Sequence, residues 1–373
     1  MMAEMILLFL CGDVMTGRGI DQALPHSCDP TLHETYVKDA RRYMALAEEV
    51  NGEIPGPVEF DYIWGDAIEA LKKRRPDARI INLETSVTTS DDAWTGKGIH
   101  YRMHPKNIRA ITAAGIDCCV LANNHVLDWG YEGLEETLKT LEAAGLAHPG
   151  AGPNGERAAA PGIVEVETGG RVLVFALGWQ SSGIIARWAA TGDRAGVNLM
   201  EPTDGSVERM QRLVKESKRP GDVVVASIHW GGNWGYDIPS RQKRFAHRLI
   251  DEAGADLIHG HSSHHVKGFE IYEGHLVLYG CGDFITDYEG ISGRERYRGE
   301  VSLMYFPWLD PETGRLAALE MVPTQIERFR IRRASEENAR WLEGVLNREG
   351  QQFGTEVKLR EDGVLEAEVE NGR

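Results

Sequence analysis

Residues 222–232 read DVVVASIHWGG. Val223, Val224, Val225, Ala226 and Ile228 are apolar on both parities, so neither face of the run suits water, and Gly231 and Gly232 stop it just after a histidine. Such a run predicts a strand buried on both faces that ends in a polar turn. The same grammar recurs at ILLFLCGD (6–13), ARIINLET (78–85), DCCVLANNH (117–125), RVLVFALGW (171–179), ADLIHGHSSHH (255–265) and HLVLYGCGDF (275–284). Helical patterns lie between or beside these runs, at 62–73, 131–144, 207–217 and 241–254; the last sets Phe245, Ala246, Leu249 and Ile250 at helical spacing before Gly254. Strand alternating with helix predicts an α/β layered fold, whose functional residues collect at the carboxyl ends of the strands.

The chain has 373 residues, with 57 Asp and Glu against 41 Lys and Arg and a formal net charge of −16. Nucleic acid is therefore not expected as a partner, because phosphate binding needs a basic footprint, and anionic membrane surfaces are disfavoured for the same reason. With 42% hydrophobic and 26% charged residues a core of normal size can form. We expect a main domain over 1–310 and a C-terminal extension over 311–373, where the pattern changes to a strand (316–328), an amphipathic helix starting near Ser335 and a polar hairpin. Residues 21–60, with a charged helix candidate at 34–50 and the stretch GEIPGPVEF, read as an insertion near the active end of the first strand, either a lid or a surface decoration. The cysteines, Cys11, Cys28, Cys118, Cys119 and Cys281, are odd in number and form no CxxC pair, which fits a reducing cytoplasm. The apolar run at 5–11 falls far short of the ~20 residues a membrane span needs and is read as a buried strand.

Polar residues cluster at the strand ends: Asp13, Glu84, Asn124 with His125, His229, His261 and His264. Carboxylates, an amide oxygen and imidazoles are ligands for Mn, Zn, Fe or Ni, and several drawn from separate strands can enclose two ions. One histidine after a strand is more often structural; the recurrence at one topological place is what points to chemistry. His265 and His275 read as structural, whereas His259 falls two residues before His261 and can share its face. Trp179, Trp188, Trp230, Trp234 and Tyr236 lie near the strand ends, as core or as walls for a ligand. No GxSxG, GxxxxGKS or GxGxxG follows a strand, so the commonest hydrolase, nucleotidase and dehydrogenase signatures are absent.

The segments GDVMTGR (12–18), NLET (82–85), LANNHVLDWG (121–130), GAG (150–152), HWGGNWG (229–235), GADLIHGHSSHHVKG (254–268) and YGCGDFITDY (279–288) together resemble the ordered motif set of the CapA family, named for poly-γ-glutamate capsule synthesis. That family in turn resembles the calcineurin-like metallophosphoesterases. The resemblance implies a four-layer αββα sandwich of two mixed sheets with one or two divalent metal ions, Mn, Zn or Fe, at the strand ends. It implies Asp13, Glu84, Asn124, His229, His261 and, less directly, His264 as metal ligands, and His125 as general acid or phosphate contact. Asp128 then orients His125 or caps a turn, Arg18 meets an anion or makes a surface salt bridge, and His148 and Trp230 line the cleft. The sequence departs from the superfamily at Met15, where DxH would carry a histidine, at Glu84 in place of an aspartate, and at GHSSH in place of GHxH. The functional expectation is a metal-dependent hydrolase acting on a phosphoester, a small molecule or an anionic γ-glutamyl polymer. Its alternative is a non-catalytic accessory protein of poly-γ-glutamate or cell-envelope synthesis.

Overall fold

The computed structural model describes residues 5–167 and 170–369. Ile6–Val14 is buried throughout and sits at the centre of the first sheet. It runs parallel to Ala78–Leu83 on one side and antiparallel to Val301–Leu309 on the other, and its carboxyl end also pairs in parallel with Asp283–Ile285. Cys118–Val120 extends the sheet beyond Ala78–Leu83, and Leu316–Ile326, Leu365–Ala367 and Val357–Leu359 extend it beyond Val301–Leu309. The second sheet has the order Phe269–Tyr272, His275–Leu278, Leu257–His261, Val223–His229, Arg171–Gly178, Gly162–Glu165, with its two outer strands antiparallel to their neighbours.

The strands of the second sheet are apolar on both faces because each face meets a different core. Val172, Val174, Ala176, Val223, Val225 and Leu257 join the cluster that holds Leu8, Leu10 and Cys11 of the first sheet. Their alternates Leu173, Phe175, Leu177, Val224, Ala226, Ile228 and Ile258 join Met210 of the helix Asp204–Ser217 and Phe245 and Leu249 of the helix Ser240–Asp251. The two mixed sheets thus pack on each other with helices outside, the expected αββα layering. Each aliphatic side chain buried in this way contributes about 1.5–3 kcal/mol, so a polar group on the inner face persists only with a partner. Ser227, His229, His259 and His261 fall on the parity of Val223, Val225 and Leu257, and therefore on that inner face.

Several elements differ in extent from the sequence reading. The pattern at 62–73 breaks into a short 3-10 turn, Tyr62–Trp64, and the helix Asp66–Arg74. Gly65 lies between them at φ 44°, where a Cβ would come within 2.2 Å of the Ile331 carbonyl oxygen, so only glycine lets the chain pass. The helix expected from residue 34 begins at Arg41, because Glu34 turns inward to an ion pair and Asp39 accepts a hydrogen bond from the Arg41 amide at 2.9 Å. Beyond residue 310, Leu316–Ile326 pairs with Val301–Leu309 along its length and so widens the first sheet. The helix Glu336–Gly350 then starts at Ser335, whose hydroxyl accepts from the Asn338 amide at 3.2 Å.

Candidate metal centre

Register builds the centre. His229 lies beside His261 and Ser227 beside His259 on adjacent parallel strands, while Asp13 ends the central strand of the facing sheet. Asp13, His229 and His261, all buried, each offer a ligand atom within 4.8 Å of the others. His261 Nδ1 is 3.8 Å from Asp13 Oδ1 and 2.7 Å from His229 Nδ1, and His229 Nε2 is 3.0 Å from Asn124 Oδ1. Glu84 Oε1 stands 3.7 Å from both His229 Nε2 and His125 Nε2. Asn82 ties the two carboxylates together, donating to Asp13 Oδ1 at 2.7 Å and to Glu84 Oε2 at 3.2 Å.

The protons of this cluster can be assigned from its fixed acceptors. His259 Nε2 lies 2.8 Å from the Cys11 carbonyl oxygen, which can only accept, so that nitrogen carries the hydrogen. The other nitrogen, Nδ1, then accepts from the Ser227 hydroxyl at 3.0 Å, and Ser227 Oγ accepts in turn from His261 Nε2 at 3.0 Å. His261 is left with a bare Nδ1 facing His229 and Asp13. With its Nε2 donating to the Asn124 carbonyl, His229 presents a bare Nδ1 as well. Two imidazole lone pairs and a carboxylate converging on one point repel one another unless a cation lies among them, and this donor set suits Mn, Zn or Fe. Burial, and after it the neighbouring Asp283, push the Asp13 carboxyl up to about 7. Burial and the Asp13 charge likewise raise Glu84, and burial lowers His229 and His261. The donor types and their convergence fit a bound divalent ion.

Ser227 is a positioning residue in this relay. Ser227→Ala should weaken metal affinity about 10–100-fold, the range for losing an outer-shell partner, while leaving the melting temperature within a few degrees. A chelator-competition titration measures this; unchanged affinity would mean that the His261 tautomer is set by something else.

The other expected residues divide. His125 Nδ1 donates to Asp128 Oδ2 at 2.6 Å, and Asp128 also accepts from the Tyr101 amide at 2.7 Å. Burial, opposed by Asp128, pushes the imidazolium of His125 down to about 4, so the ring is neutral with Nε2 bare toward Glu84. His264 lies off the three-residue cluster and pairs with Asp283, Nδ1 to Oδ1 at 2.8 Å. Arg18 is in a buried pair, not a surface one. Its guanidinium is buried between Glu34, at 2.9 Å, and Asp287, and rests 3.8 Å over the Tyr43 ring. Trp230 is not a cleft wall: it is 2% exposed, packs on Trp179 at 5.2 Å and donates to the Tyr279 carbonyl. The ring of His148 is 2.8 Å from the Leu146 carbonyl oxygen and borders a separate cavity beside the helix Gly130–Ala143.

Sequence reasoning gave no role to Asn82, Asn123, Ser227, Asp283 or Lys97. The first two stand inside quoted motifs next to assigned ligands, and Asn123 supports Asn82 at 3.0 Å. Asp283 repeats the Gly-Asp of the first strand end and is the register partner of Asp13. Lys97 comes from a loop with no pattern and reaches Asp128 and, at 2.9 Å, His125 Nδ1.

A family model described as bacterial capsule synthesis protein PGA_cap matches residues 7–288. A protein of Mycobacterium tuberculosis described as a probable polyglutamine synthesis accessory protein is 45% identical over 97% of this chain and 96% of its own. The capsule biosynthesis protein CapA of Bacillus anthracis is 31% identical over 62% of this chain and 53% of its own, and the PGA biosynthesis protein CapA of Bacillus subtilis 29% over 60% and 56%. The match thus spans about half the length of the two Bacillus proteins. Among the described residues no helix is long and apolar enough to cross a membrane.

Proposed function

The chain belongs to the bacterial capsule synthesis protein family, and we propose that within it this protein is a metal-dependent hydrolase linked to poly-γ-glutamate or capsule synthesis, acting on a phosphoester or an amide. The observation that carries the reading is the convergence of the Asp13 carboxylate with the bare Nδ1 atoms of His229 and His261. In this reading Asn124 orients His229 from its Nε2 side, Glu84 is the further carboxylate, 3.7 Å from the same atom, and Mn, Zn or Fe are the ions that suit the set. When bound, a divalent ion supplies Lewis acidity, polarising the bond to be cleaved and acidifying water. His125, held through Nδ1 by Asp128, takes at Nε2 the proton that the attacking water gives up and passes it to the leaving group. Lys97 lies beside it, paired with Asp128. All these residues lie within 1–310, which we take as the functional domain, with 311–373 as its extension. We place the protein in the cytoplasm, a reading supported by five cysteines that are all free and buried.

A second reading, a non-catalytic accessory protein, is favoured by Met15. This side chain is fully buried, with the Tyr288 hydroxyl 3.7 Å from its sulfur, where the superfamily resemblance calls for a histidine ligand. The two readings part on turnover. Loaded with Mn, Zn or Fe, the protein should hydrolyse bis-p-nitrophenyl phosphate, and His229→Ala should reduce the rate at least about 100-fold, beyond the effect of losing an outer-shell partner. An inert wild type, or activity that survives the substitution, would leave the accessory reading.

A further inference from the structure

Among the described residues, seven other than glycine have a positive φ, and six of them lie between 44° and 56°, in or beside the left-handed turn region. Ser262 is the exception, at φ 97°. A residue with a Cβ is strained there, and such a conformation persists only where the surrounding bonds over-determine it. Ser262 is buried and follows His261 directly, at the place where the sequence reads GHSSH.

Bonds on both sides hold it. The Trp230 amide donates to the His261 carbonyl at 3.3 Å and the His264 amide to the Asn233 carbonyl at 2.9 Å, so the segment after His261 is laced to the segment after His229. Within this lacing the Ser262 hydroxyl donates to the Gly231 carbonyl at 3.4 Å. What the strained conformation delivers is a donor. The ladder between the two strands ends at His229 and His261, and the next amide, that of Ser262, turns to the facing sheet and donates to Asp13 Oδ2 at 3.1 Å. Asn82 holds the other oxygen, Oδ1, at 2.7 Å, and Oδ1 stands 3.8 Å from His261 Nδ1. With a donor on each oxygen, the carboxylate cannot rotate without breaking a hydrogen bond. Outer partners of this kind orient a ligating carboxylate and strengthen metal binding.

We propose that Ser262 is a positioning residue of the metal centre, its strained backbone aiming an amide at Asp13 so that the carboxylate stays fixed toward His261. The role rests on the metal reading of Asp13, His229 and His261 and not on hydrolysis. It belongs to the backbone conformation, so the side chain matters through the φ it allows. Glycine takes this φ freely, alanine takes it with strain, and β-branched valine tolerates it least.

Zinc affinity, measured by competition with a chromophoric chelator, and the melting temperature of the chelator-treated protein test this in Ser262→Gly, Ser262→Ala and Ser262→Val. Ser262→Gly should stay within about threefold of wild-type affinity, Ser262→Ala should lose about tenfold and Ser262→Val more, as for loss of an outer-shell partner. Ser262→Gly should also melt above Ser262→Ala, the reverse of the ordinary order of these two residues. An affinity loss in Ser262→Gly equal to that in Ser262→Ala would give the role to the hydroxyl and overturn the assignment. Wild-type affinity in Ser262→Ala and Ser262→Val, or the ordinary melting order, would overturn it too. If Ser262→Val does not fold, the other two variants decide. Zinc uptake indifferent to residue 262 removes only this role, whereas a wild type that takes up no zinc, Mn or Fe removes the metal centre and the role with it.

Discussion

Arg18→Leu should lower the unfolding free energy by about 3–5 kcal/mol, the range for removing one partner from a buried ion pair. Two carboxylates depend on this guanidinium. Asp287 receives it through Nε at 3.1 Å and through Nη2, and Glu34 receives Nη1 at 2.9 Å. Neither carboxylate can find water once the arginine is gone, since all three side chains are at most 2% exposed. The Gly19 amide and the Tyr43 hydroxyl, which donate to Asp287 and Glu34, compensate only in part. Because Glu34 and Tyr43 belong to the 21–60 insertion, the same variant should loosen that segment and raise its hydrogen exchange. Urea denaturation reads the stability, and a loss under about 1 kcal/mol would show that the pair is solvated in solution.

His125→Ala should reduce turnover about 100- to 10,000-fold, the contribution expected of a positioned proton-transfer group, without lowering metal content. The separation follows from geometry. His125 Nε2 is 3.7 Å from Glu84, and the ring is held from behind by Asp128, outside the Asp13, His229 and His261 cluster. Asp128→Asn, which keeps the shape and loses the carboxylate, should fall between wild type and His125→Ala. Loss of metal together with turnover would make His125 a ligand, and turnover within tenfold of wild type would remove it from the chemistry.

The strands were legible because their apolar residues occupy both parities, and the convergence of Asp13, Glu84, His229 and His261 followed from strands ending on one edge. Parity held further information about Trp230. Val224, Ala226 and Ile228 face the outer helices, so Trp230 continues that row while Ser227 and His229 face inward. The burial of Trp230 and the support that Ser227 gives His261 could both have been read from the two-residue period of the strand. Arg18 was another matter, since its partners are 16 and 269 residues away and no local pattern announces a pair closed across the fold. Lys97 follows a loop whose course depends on Asp128, and the local sequence around it is neither periodic nor apolar. The break at Gly65 required knowing that the Ile331 carbonyl would pass beside it.

The central claim is that Asp13, His229 and His261 hold a divalent metal ion. Plasma mass spectrometry of the purified, tag-free protein beside His229→Ala tests it most directly. The account predicts one or two tightly held ions of Mn, Zn or Fe per chain in the wild type and their loss in the variant with the fold retained. A wild type that takes up no ion even after loading, or a variant with the same metal content, would contradict it.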